Sequence, residues 1–212
     1  MSISRMSVAA FAAVACSLAA GAGTTYYADC TKGDDTGDGK SEATAKKYIQ
    51  SAVGLCAKSG DTVIVLPGDY ADDPATTASD GTASRVVIAD KSVYLKARDG
   101  KAVTRITGAY STDSTAVYNC GPGAIRCLAI TGSDAANTVV EGFTLYRGAT
   151  ALNAAGGGYY ATGVGYKAYV VDCDIVDCCG NKKSGGAAAC NGIAVRCLFS
   201  RTIADWNGTC AV

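Results

Sequence analysis

A short β-like run near the C-terminal end repeats, and that repetition constrains the fold more than any other feature of the chain. "VVDCDIVDCCGN", slid forward along the sequence, falls on "AVRCLFSRTIAD", so that Val171 meets Val195, Cys173 meets Cys197 and Ile175 meets Phe199. Slid backward, it lays Asp172-Cys173 on Glu141-Gly142 of "VVEGFTL". Glycine-rich stretches punctuate the runs: "AGGGYYATG", "SGGAAACNG" and "WNGTC". A strand, a turn and a glycine cluster of this size cannot bury an apolar face alone. Stacked on copies of itself it can, which predicts a solenoid of coils.

The middle of the chain extends the pattern. "SRVVIAD", "KSVYLKA", "VTRITG", "IRCLAITG", "TVVEGFTLYRG", "AYVVDCDIVD" and "IAVRCLFS" are β-branched runs separated by Gly, Asn and Asp. Helical periodicity is missing from the gaps, which argues against alternating βαβ units. The N-terminal part differs. "TTYYA" reads as a strand and "KGDDTGDGKS" as a loop, and Ile49, Ala52, Val53 and Cys56 fall at helical spacing. "GDTVIVLPG" then gives a turn, a strand over Thr62 to Leu66, and a Pro-Gly stop.

The first residues predict export. One positive charge in "MSISRM" precedes the apolar run Ser7 to Ala20, too short to span a bilayer, and Ala20-Gly21-Ala22 has the small-x-small form of a cleavage site. The expected organisation is a signal peptide over 1–22, a capping region over 23–59 and coils over 60–212, with no transmembrane segment in the mature chain. "DWNGTCAV" stops one step into a further coil, so more coils or an anchor are expected beyond it. Formal charge is zero over 212 residues, which gives no reason to expect nucleic acid as a partner. The chain has no histidine, which removes Ser-His-Asp, Cys-His and His-ligated zinc chemistry. In an exported chain the ten cysteines left after Cys16 favour disulfides. Cys30 with Cys56, Cys120 with Cys127, and Cys178 or Cys179 with Cys190 are the preferred pairings. Zinc on Cys173, Cys178 and Cys179 is disfavoured, because adjacent cysteines at a strand end diverge.

"IQSAV" followed by "GDTVIVLPGDY", then "KSVYLKA", "VVEGFTL" and the two glycine-led coils resemble secreted right-handed parallel β-helix proteins of the pectin-lyase-like superfamily. "YYADCTKGDDTGDG" is similar to the capping region of bacterial members. The resemblance implies an all-β right-handed parallel β-helix, secreted or displayed on the outer surface. It leaves function open, since the fold serves lyases, hydrolases, adhesins and autotransporter passengers alike.

Alternation in the opening run predicts Val171, Cys173 and Ile175 inward and Asp172, Asp174 and Val176 outward. Across the same forward shift Asp172 then meets Arg196 and Asp177 meets Arg201, a charge ladder on the outer face. Cys173 stacks on Cys197 as a small buried group. A disulfide between them is disfavoured, because in-register neighbours on parallel strands seldom reach the required torsion. The resemblance to calcium-dependent pectate lyases implies a different use for the same residues, with Asp172 and Asp174 as calcium ligands and Arg196 as base. The Trp-x-Asp-His segment of such lyases is missing, as is the polygalacturonase pattern of Asp-Asp with Gly-His-Gly. The ladder is the preferred reading. A second calcium candidate is the loop with Asp34, Thr36, Asp38 and Gly39, although Ala45 stands where a bidentate Glu belongs. Tyr159, Tyr160 and Tyr166 are candidates to stack on sugars, and Asn207-Gly208-Thr209 is a sequon. These features point to a binding or adhesion protein acting on carbohydrate, a polysaccharide or a host-surface glycan. A calcium-using polysaccharide lyase is the alternative.

Overall fold

Strands of two to seven residues make up most of the regular secondary structure in the computed structural model. It describes residues 23–57, 59–151, 153–165, 167–181, 188–190 and 192–204. The predicted signal peptide, the sequon, Tyr166, the C-terminal stop and the side chain of Cys190 lie outside the described residues. In chain order the elements begin with β1 (Thr25–Ala28), α1 (Ile49–Leu55), β2 (Ser59–Val65), β3 (Gly68–Tyr70), β4 (Thr76–Thr77), β5 (Ala83–Ala89) and β6 (Ser92–Ala97). Next come β7 (Thr104–Thr107), β8 (Arg126–Thr131), β9 (Val139–Glu141), β10 (Thr144–Tyr146), β11 (Tyr159–Thr162) and β12 (Tyr169–Val171). The described chain closes with β13 (Asp174–Val176), β14 (Cys179–Gly180), β15 (Ala188–Cys190), β16 (Ile193–Val195), β17 (Leu198–Ser200) and β18 (Ile203–Ala204).

All of these strands but β14 and β18, which pair with each other, fall into three stacked sheets. The first has the order β1-β2-β6-β9-β12-β16, the second β3-β7-β10-β13-β17 and the third β4-β5-β8-β11-β15. Every pairing is parallel except β4 with β5. Each circuit of the chain adds one strand to each sheet, the topology of a right-handed parallel β-helix.

Side chains pointing inward stack into ladders. Val63, Leu95, Val140 and Val170 line the first sheet, Tyr70, Ile106, Leu145 and Ile175 the second, and Ile88, Ile130 and Ala161 the third. All are 3% exposed or less. Burying each aliphatic side chain contributes roughly 1.5–3 kcal/mol. α1 closes the N-terminal end of this core with Ile49, Ala52 and Val53.

The corners explain where the alternation rule fails. Between the first and second sheets the chain turns at one left-handed residue: Gly142, Asp172 and Arg196 have φ of 80°, 51° and 53°. It leaves the second sheet at another, with Arg147, Asp177 and Arg201 at φ of 51°, 53° and 49°. Each corner breaks what reads in sequence as one strand into two short ones. It also resets the phase, so Val170 rather than Val171 packs in the core cluster, and Val171 aligns with outward-facing Glu141. The backward alignment of the repeat is therefore corrected by one position: Tyr169 pairs with Val139, which places Asp172 over Gly142 rather than Glu141. The forward alignment stands, with Tyr169 on Ile193 and Ile175 on Phe199.

Candidate functional site

The outer face of the second sheet concentrates the polar chemistry of the molecule. Asp69 on β3 lies beside Arg105 on β7, Arg105 beside Thr144 on β10, and Thr144 beside Asp174 on β13. Arg105 Nη2 contacts Asp69 Oδ2 at 2.6 Å, and Thr107 Oγ1 donates to Asp69 Oδ1 at 2.5 Å. The Arg105 guanidinium also lies 4.8 Å from the centre of the Tyr146 ring. At the adjacent corner Arg147 lies 4.6 Å over Tyr110, whose hydroxyl donates to the Asp177 carbonyl at 2.7 Å. Burial pushes the Tyr110 hydroxyl up to about 12, so it remains a donor at neutral pH. Arg147 is exposed and, among the described residues, enters no ion pair within 4 Å.

The predicted ladder lies along the same face. Arg196 grips Asp172 through Nε and Nη2 at 2.6 and 2.5 Å, and Arg201 grips Asp177 at 2.6 and 2.8 Å. These hydrogen bonds hold both carboxyls below the usual carboxylate range and raise both guanidiniums. Lys101 Nζ sits 2.6 Å from Asp174 Oδ1 and is raised by that hydrogen bond.

A calcium ion is not matched by this donor set. Calcium takes six to eight oxygens, roughly, whereas Asp172 and Asp174 each face a cation. No group of three or more His, Cys, Asp or Glu side chains able to hold a metal occurs among the described residues. Arg196, held in a bidentate ion pair that favours its charged form, is poorly placed to accept a proton. In the N-terminal loop, Asp34 accepts the Thr36 N–H and hydroxyl, and Asp38 accepts the Lys40 N–H and the Thr44 hydroxyl. Those bonds lower both carboxyls and tie each one to its own turn.

Among the described cysteines, Cys173 meets Cys197 as the repeat predicts, while the other contacts are ones the sequence reading did not choose. Side-chain hydrogen bonds join Cys127 to Cys178, Cys120 to Cys179 and Cys173 to Cys197, and the last of these links two successive coils. Cys120 and Cys127 therefore have different partners and sit in different core clusters. Cys30 lies against Gly68, where an added Cβ would collide with its sulfur, while Cys56 donates to the Ala52 carbonyl at 3.6 Å. Tyr159, a candidate for sugar stacking, is 2% exposed and belongs to the core, because β11 turns it inward. Tyr160 is occupied by the Arg126 guanidinium at 4.6 Å. A hollow of about 610 Å³ near Gly81, Ala83, Pro122 and Ile125 is lined by small and apolar residues without charge.

Sequence reasoning missed Asp69, Lys101, Arg105, Tyr110, Tyr146 and Arg147. Equivalent positions on the second sheet are Asp69, Arg105, Thr144, Asp174 and Leu198, so the last coils are shorter than the first ones. A constant period cannot align coils of such unequal length. The three stacked sheets define the chain's class, a right-handed parallel β-helix. No family model matches the sequence, and no curated protein matches it either. Among solved structures a rhamnogalacturonan lyase is similar, at 17% identity and a TM-score of 0.45, over 84% of this chain and 50% of the lyase chain. The chain thus spans about half the length of that structure.

Proposed function

We propose that the chain is an exported β-helix that binds an acidic polysaccharide along the outer face of its second sheet. One observation carries this reading: Arg147 presents an exposed guanidinium in no ion pair among the described residues, laid over the Tyr110 ring, beside the Arg105–Tyr146 stack. A guanidinium recognises a carboxylate through two parallel N–H donors. The neighbouring ring offers an apolar surface to the C–H face of a sugar, and Thr107 and Thr144 add hydroxyls within the same face. The spacing between coils, about 4.8 Å, repeats these groups along an extended ligand. An adhesive or host-surface role follows from the same binding face. Among the described residues no helix is long and apolar enough to cross a membrane.

Titration calorimetry with uronate-containing oligosaccharides tests the reading. Arg147→Ala should weaken binding about tenfold or more, equivalent to about 1.4 kcal/mol, with Tyr110→Phe close to wild type. Unchanged affinity in Arg147→Ala and Arg105→Ala together overturns the assignment. The lyase alternative predicts calcium-dependent appearance of unsaturated ends, lost in Arg196→Ala; that outcome would replace the binding reading with an enzymatic one.

A further inference from the structure

We propose that Cys173 and Cys197 form an exchangeable dithiol that closes into a disulfide between two successive coils on reaction with a small disulfide such as oxidised glutathione. Both residues follow a left-handed corner residue, Asp172 and Arg196, where the chain passes from the first sheet to the second. Val171 aligns with Val195 before them and Asp174 with Leu198 after them, so the two cysteines lie one above the other. The Leu198 N–H donates to the Cys173 carbonyl at 3.0 Å, which fixes that alignment at the cysteines themselves. A coil spacing of about 4.8 Å lies inside the Cα span that a disulfide bridges, roughly 4.4–6.8 Å. The torsional objection to in-register cysteines applies to strand ladders, and neither residue is in a strand. The thiols are already in hydrogen-bonding contact.

The two members are unequal in a way that suits exchange. Cys173 is 0% exposed, whereas Cys197 is only partly buried. The hydrogen bond from Cys173 outweighs burial and lowers the Cys197 thiol to about 7, while burial raises Cys173 well above the usual range. Cys197 is thus the attacking thiolate and Cys173 the resolving thiol. Cys197 attacks one sulfur of the small disulfide, breaking its S–S bond, forming a mixed disulfide and releasing one small thiolate. Cys173 then loses its proton to solvent and attacks the Cys197 sulfur, expelling the second small thiolate. Two protein thiols are oxidised and one small disulfide is reduced to two thiols. Cys127 also meets Cys178, and Cys120 meets Cys179, but all four residues are 2% exposed or less, so exchange in the folded protein is confined to the outer pair.

The test is peptide mapping of the folded chain after incubation with oxidised glutathione, acid quench and alkylation. A peptide linked through Cys173 and Cys197 is expected, whether formed on treatment or present on isolation, and reduced glutathione should open it. Its rate of formation should rise with a midpoint near pH 7 rather than at an ordinary thiol's pKa of about 8.5. In Cys173→Ser a glutathione adduct should accumulate on Cys197, and Cys197→Ser should leave Cys173 unmodified. A wild-type chain that accumulates the Cys197 adduct without a link, or keeps both thiols alkylatable throughout, overturns the proposal. The wild-type result decides the matter even if a variant fails to fold.

Discussion

Two kinds of arginine–aspartate pairing in this molecule share a chemistry and differ in what surrounds them. On the third sheet Arg126 is 0% exposed, with Asp80 Oδ2 at 2.8 Å from Nη2, the Gly156 and Ala155 carbonyls at 2.8 Å, and the Tyr160 ring across its face. On the second sheet's edge Asp172–Arg196 and Asp177–Arg201 have equally short contacts, but the two arginine side chains are 42% and 66% exposed. Distance alone therefore does not rank these pairs. Inside, each donor of Arg126 replaces water that cannot enter, and loss of the guanidinium strands buried acceptors. Outside, water competes for both partners and salt screens them.

Removing the buried cation should break the contrast open. Arg126→Met should cost about 3–5 kcal/mol in urea unfolding, since Asp80 and two buried carbonyls lose their partner. A loss below about 1 kcal/mol would place Arg126 with the surface pairs.

Asp73 sharpens the comparison from the carboxylate side. Burial pushes Asp80 up, but the hydrogen bond and charge of Arg126, with bonds from Thr82, outweigh it and leave Asp80 below the usual range. Asp73 accepts the Ile49 N–H at 2.9 Å and feels the charge of Arg85, which donates to its backbone carbonyl rather than its carboxyl. Burial outweighs both and pushes the carboxyl up to about 6. The folded protein therefore holds this proton more tightly than the unfolded chain, whose carboxyl titrates near 3.8. Its stabilising effect is complete below about pH 4 and is lost as pH rises through about 6, a change of up to about 3 kcal/mol. Asp73→Asn keeps an acceptor for Ile49 and should remove that part of the pH dependence. Parallel stability–pH profiles for the two proteins would refute the assignment.

The smallest effects belong to the edge pairs. A double-mutant cycle on Asp172 and Arg196 should give a coupling of about 0–1 kcal/mol that falls with added salt. A salt-resistant coupling of several kcal/mol would show that the edge behaves like the interior.

Much of the architecture was legible because stacked coils impose local rules. The strand at Thr25–Ala28, the helix at Ile49–Leu55 and the repeat that lays Ile175 on Phe199 follow from alternation, helical spacing and self-similarity. The facing of Arg196 on Asp172 follows from that repeat. Val171 defeated the alternation rule because a left-handed residue, here an aspartate without glycine's freedom, reset the phase beside it. The meetings of Cys127 with Cys178 and of Cys120 with Cys179 defeated the sequence for another reason. Cys120 and Cys179 are brought together by coils of unequal length, and no spacing along the chain encodes that meeting.

The sequence by itself determined a solenoid of short strands, an N-terminal cap and a chemistry without histidine, since period and composition are properties of the chain alone. Only the tertiary structure decided that Arg147 lies over Tyr110, that Arg126 is buried, and that Cys120 and Cys127 meet Cys179 and Cys178. Those contacts depend on how far each coil travels before it returns. That length changes from coil to coil, as the unequal spacing of Asp69, Arg105, Thr144, Asp174 and Leu198 shows, so no single period along the chain encodes it.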